Sequence, residues 1–147
     1  MRPMHFLFLF GFLFTTAAVA APRHLDDAGL VAAYADKTHL SFYRRHVEEY
    51  GGKYFEESYN ADGSLIYRAG DIALTGIWRV SDGQICFEYP DSALYGGCFV
   101  VTYEAGCYYS YEIGQDGAPI GYSTGAWWIR AHIKGTRPDC AAGDLVS

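Results

Sequence analysis

Residues 72–89 read IALTGIWRVSDGQICFEY, and the fold turns on them. The runs 72–80 and 85–89 are rich in β-branched and aromatic residues. Ser81-Asp82-Gly83 lies between them. A tight hairpin turn needs positive φ, which Asp and above all Gly adopt at low cost. Two strand-like runs joined by Asp-Gly therefore predict an antiparallel hairpin.

The same rhythm extends in both directions. Residues 38–43 alternate, with Thr38, Leu40 and Phe42 on one side and His39, Ser41 and Tyr43 on the other. Runs of strand character follow at 54–59, 64–69, 98–104, 107–113 and 125–133. Ala61-Asp62-Gly63, Glu104-Ala105-Gly106 and Gln115-Asp116-Gly117 punctuate them. Consecutive hairpins predict a mainly β fold, an antiparallel meander of seven or eight strands forming a small barrel or a strongly bent sheet. Residues 25–37 alone read as helix. Asp26 and Asp27 suit a first turn, Leu30, Ala33 and Tyr34 fall at helical spacing, and Gly29 weakens the pattern. This short amino-terminal helix is expected to pack on the edge or end of the sheet.

Residues 1–21 have the order of a secretory signal peptide: Arg2, an apolar run from Phe6 to Phe14, then small residues ending Ala20-Ala21. The apolar run is shorter than the ~20 residues of a membrane span. The expectation is a periplasmic or secreted protein with no stable membrane insertion after cleavage. Residues 22–147 then form a single disulfide-stapled β domain with a tail at 136–147. Formal charge is −6 for the chain. No Lys/Arg cluster exceeds Arg44-Arg45, so nucleic acid and anionic lipid are disfavoured as partners. Asn60 is followed by Ala61-Asp62, which excludes N-glycosylation there.

Cys86, Cys98, Cys107 and Cys140 are even in number and follow an export signal, which predicts two disulfides. Four cysteines allow three pairings. Cys86–Cys98 is favoured because the two flank a loop between consecutive strands, and Cys107–Cys140 would then fasten the tail. Zinc and redox roles lack C-x-x-C spacing. The pairing of Cys86 with Cys98 also puts Ile85, Phe87 and Tyr89 together with Phe99, Val101 and Tyr103 on one apolar face. Trp78 and Val80 are expected to join it, with Trp78 at the centre of the core.

The chain has thirteen tyrosines and three tryptophans, a heavy aromatic load. Tyr108-Tyr109 and Trp127-Trp128 each place one ring on either side of a strand. Packing under a loop or the helix accounts for most such rings. The functional alternative is a platform of Tyr109, Tyr111, Tyr122 and Trp127 or Trp128 for a sugar, a peptide or a peptidoglycan fragment. His24, His39, His46 and His132 have no metal-binding spacing, no serine has a nucleophile-elbow setting, and no glycine loop cradles phosphate. Neither a catalytic residue, a metal nor a cofactor is therefore assigned.

The order Tyr59-Asn60-Ala61-Asp62-Gly63, then Gly76-Ile77-Trp78-Arg79-Val80-Ser81-Asp82-Gly83-Gln84-Ile85-Cys86, then Gly97-Cys98-Phe99 resembles a group of small exported proteobacterial proteins of unknown function. The resemblance covers about residues 33–109 and implies the β reading and the Cys86–Cys98 pairing. It implies no reaction or ligand. The reading that follows is an exported, non-enzymatic binding or envelope-associated accessory module. Its alternatives are a small barrel carrying an apolar ligand, a hydrolase pairing Glu88 with Glu112, and an inhibitor of an exported enzyme acting through the loop at 90–97.

Overall fold

A computed structural model describes residues 23–45, 51–89, 94 and 96–140. The candidate signal peptide, most of the loop at 90–97 and the end of the tail lie outside these residues. The described chain runs β1 (Arg23–His24), α1 (Asp27–Tyr34), β2 (Lys37–Tyr43), β3 (Tyr54–Tyr59), β4 (Ser64–Ala69), β5 (Ile72–Ser81), β6 (Gln84–Glu88), β7 (Gly97–Glu104), β8 (Cys107–Glu112) and β9 (Ile129–Ile133). Strands β2 to β9 pair in sequence order, all antiparallel, and β9 returns to pair with β2. The meander thus closes into an eight-stranded up-and-down barrel, so each of β2 to β9 has a partner on both sides. β1 adds a short ladder to β7, Arg23 opposite Tyr103.

Turn chemistry sets the register. Asp82 and Gly83 have φ of 55° and 72°, the left-handed pair that a two-residue hairpin requires. Ala105-Gly106 does the same between β7 and β8. Asp116-Gly117 behaves differently. It turns a small loop between β8 and β9, closed by the bridge Ile113–Pro119, and a single 3-10 turn follows at Tyr122–Thr124. Gly121 and Gly125, at φ of 74° and 68°, bracket that turn. The last strand therefore begins at Ile129, not at residue 125.

The helix is shorter than the span 25–37. Asp26 caps it by accepting the Gly29 N–H at 2.8 Å, and Asp36, at φ 57°, turns the chain into β2. Its buried face, Leu30, Ala33 and Tyr34, closes one end of the barrel over Leu65, Ile85 and Val101. The Asp27 carboxylate accepts the Gly83 N–H at 2.5 Å and ties the helix to the β5–β6 turn.

Three apolar clusters follow. The largest fills the barrel under the helix and contains Phe87, Phe99 and Trp78. Trp78 sits toward the β3–β4 turn, its indole N–H donating to the Asn60 carbonyl at 2.9 Å; Leu65, Ile85 and Val101 lie deeper. A second cluster, Tyr43, Phe55, Tyr67, Ala69 and Leu94, fills the other end. The third, Phe42, Cys107, Tyr109, Tyr111 and Trp127, lies outside the barrel wall. Cys86 and Cys98 are directly opposed on β6 and β7 and are bonded. Cys107 and Cys140 are bonded too, so the segment after β9 is fastened to β8. Among the described residues no helix is long and apolar enough to cross a membrane.

Candidate functional site

Two rungs of the ladder build a concavity on the outer wall. Arg130, Phe42 and Tyr54 are successive partners across β9, β2 and β3. His132, Leu40, Glu56 and Arg68 form the next outward row, reaching β4. Alternate residues of a strand share a face, so both rows point outward. The groove between them measures about 470 Å³, within the range of small-ligand sites.

Phe42 is the floor. The Arg130 guanidinium lies 4.1 Å from its ring centre and the Lys53 ammonium 5.4 Å. Tyr54 is near-parallel to it with ring centres 5.8 Å apart, and Trp127 meets it in a T-shaped arrangement with ring centres 5.2 Å apart. Tyr54 is 73% exposed. The Arg44 guanidinium lies over the Trp127 ring, 5.6 Å from its centre. Glu56 is engaged by Lys134 at 2.7 Å. The groove thus offers the exposed Tyr54 ring beside guanidinium groups over a buried Phe42, the chemistry that receives a flat or ring-shaped body carrying an anion.

Tyr109, Tyr111 and Trp127 lie on this same outer wall, but they are buried beside Phe42 as its packed shoulder. Tyr122 is 43% exposed and meets the Tyr111 ring edge-on at 5.1 Å. Trp128 points the other way, against Tyr43 inside the barrel. Tyr109, Tyr111, Tyr122 and Trp127 are therefore contiguous, with only Tyr122 of the four exposed, and Trp128 lies apart from them. Leu40, Phe42, Tyr54, Arg68 and Arg130 were not singled out from the sequence. The signal for Phe42 was its place opposite His39 and Tyr43 in an alternating strand, which fixes two faces without saying which is outside.

The interior holds a second polar feature. Glu57 is buried, and its two carboxyl oxygens each accept a tyrosine hydroxyl, from Tyr59 at 2.5 Å and from Tyr89. Burial pushes the carboxyl above its ordinary range, and the two tyrosine bonds oppose that shift. Gly76 makes the second bond feasible. A Cβ there would stand 2.9 Å from the Tyr89 ring and 2.5 Å from the Glu88 carbonyl oxygen. On β2, directly opposite Glu57, His39 donates from Nε2 to the Ala33 carbonyl at 3.0 Å and stacks on Tyr34 at 4.5 Å. Burial lowers its pKa to about 4, so the ring is neutral at pH 7. Its Nδ1 has no hydrogen-bond partner among the described residues.

Beside Glu57 is a void of about 30 Å³, lined by Phe55, Phe87, Tyr89, Leu94, Phe99 and Trp128. It has room for about two water-sized bodies and none for an acyl chain. Glu88 and Glu112 are on the β6 and β8 strands, with β7 between them. Glu88 is ion-paired with Arg79 and lines a concavity beside Cys86 and Cys98 that Glu112 does not line. Comparison with protein families, curated proteins and solved structures finds no match.

Proposed function

We propose that this chain is an exported binding module that takes a ring-bearing anionic ligand, such as an acidic fragment of the cell-envelope glycan, on its outer wall. The observation that carries the reading is the groove of about 470 Å³ with the exposed Tyr54 ring above buried Phe42 and with Arg68 and Arg130 in its lining. Arg44, Lys53, Arg68, Arg130 and Lys134 stand on or beside this wall, five of the eleven Lys and Arg residues in a chain of net charge −6. Cations concentrated on one face of an acidic protein favour an anion there. The order of residues 1–21 supports a periplasmic or secreted address, and the paired cysteines suit an oxidising compartment. The resemblance of the motif order to that of small exported proteobacterial proteins agrees with the same address.

A carrier of an apolar ligand requires an internal cavity, and a void of about 30 Å³ gives that reading little support. Titration with soluble peptidoglycan fragments and with neutral and acidic oligosaccharides, followed by tryptophan emission, tests the outer-wall reading. Trp127 packs on Phe42, so occupation of the groove should change its emission. The expected result is saturable binding of the acidic ligands. It should be lost in Tyr54→Ala, weakened in Arg68→Ala and reduced by salt. If neither acidic nor neutral glycans give a saturable change, the reading fails.

A further inference from the structure

We propose that the barrel interior is a separate site for a small ammonium-type cation, ammonium or methylammonium, held by the Glu57 carboxylate against a cage of aromatic rings. The first argument is a proton count. Tyr59 and Tyr89 each supply one hydroxyl proton, and the two contacts to Glu57 use both. The hydrogen bonds are therefore complete when Glu57 is ionised. A neutral carboxyl adds a third proton to the same two contacts and strands one of the three donors. Neither tyrosine hydroxyl has another acceptor among the described residues.

The second argument is charge. An ionised carboxylate away from water is costly unless a cation stands beside it. The described ion pairs are Arg79–Glu88 and Lys134–Glu56, and neither involves Glu57. His39, opposite on β2, is kept neutral by its burial. Hydrogen bonding thus favours the anion, burial opposes it, and no ion pair among the described residues offsets it.

The third argument is the shape and lining of the adjoining void. Its volume of about 30 Å³ is bounded by Glu57 and by the rings of Phe55, Phe87, Phe99 and Trp128. Aromatic rings around a carboxylate are a setting that attracts an organic cation. An ammonium group donates N–H bonds to the lone pairs that Glu57 has left, and one methyl group fills the remaining space. A bare alkali ion finds too few oxygens there, and a longer amine exceeds the volume.

Thermal unfolding of the disulfide-intact protein at pH 8 tests this, with methylammonium chloride compared against sodium chloride at equal ionic strength. Methylammonium is expected to raise Tm by several degrees in a saturable manner, while sodium and tetrabutylammonium do not. Glu57→Gln should abolish the rise. Equal Tm in methylammonium and sodium, or an equal rise in Glu57→Gln, overturns the proposal. If Glu57→Gln does not fold, the carboxyl carbon of Glu57 is titrated by NMR in the native protein. Its pKa should fall when methylammonium is added, and an unchanged pKa also overturns the proposal. Glycan binding on the outer wall enters none of these readouts, so the two sites stand or fall separately.

Discussion

His39 and Glu57 are directly opposed, face into the barrel and have pKa values moved in opposite directions. His39 is lowered from 6.5 to about 4, chiefly by burial. Its unfolded form therefore takes up a proton first as pH falls. The stability it contributes is complete above 6.5 and is lost between 6.5 and about 4, a swing of roughly 3 kcal/mol. Glu57 is raised above 4.5, also by burial. Its unfolded form releases its proton first as pH rises. That contribution is complete below 4.5 and declines as pH climbs toward its native value. Urea unfolding across this range, in amine-free buffer, should show both limbs. His39→Phe should flatten the acid limb, and Glu57→Gln the opposite one. A wild-type profile without an acid limb would contradict the assignment for His39. Neither residue was legible as special in the sequence, because a lone His and one of several strand carboxylates differ from surface residues only through what surrounds them.

The β5 strand shows how an element can serve a residue on another strand. Gly76 has ordinary strand geometry, so its use is the space it leaves rather than its freedom of φ. That space admits the Tyr89 ring, whose hydroxyl reaches Glu57 across the barrel. Gly76→Ala should push Tyr89 away and destabilise the fold by about 1–3 kcal/mol. In a double-mutant cycle with Tyr89→Phe, the two losses should be less than additive. Full additivity by urea unfolding would show that Gly76 does not act through Tyr89. The strand runs at 54–59 and 64–69 coincide with β3 and β4, because their turn residues and alternation are both local. The run at 125–133 loses its first four residues to the segment that follows the 3-10 turn. There Trp127 leaves the ladder to pack on Phe42, a contact 85 residues apart in the chain that no local pattern encodes.

The whole chain is cross-linked twice, across loops of different length. Cys86 and Cys98 are 12 residues apart, and Cys107 and Cys140 are 33 apart. A longer closed loop removes more freedom from the unfolded chain, so each bridge should be worth roughly 2–4 kcal/mol and the second about 1 kcal/mol more than the first. Paired Cys→Ser variants, compared by urea unfolding, check this ordering. The reverse order would mean that the tail after β9 adds little to the native state. Closure of the barrel also decided what the sequence left open. Residues 72–89 determined a hairpin by themselves, since Asp82-Gly83 and the alternation on either side need only near neighbours. The same local logic placed Cys86 opposite Cys98 and put Ile85, Phe87, Phe99 and Val101 on one face. Alternation divides a strand into two faces and carries no information about which is inside. In β2 the tertiary structure turned His39, Ser41 and Tyr43 inward and left Leu40 and Phe42 to the outer wall. It did so because inward facing is settled by the curvature of all eight strands together. Both candidate sites are products of that choice, one on each side of the wall.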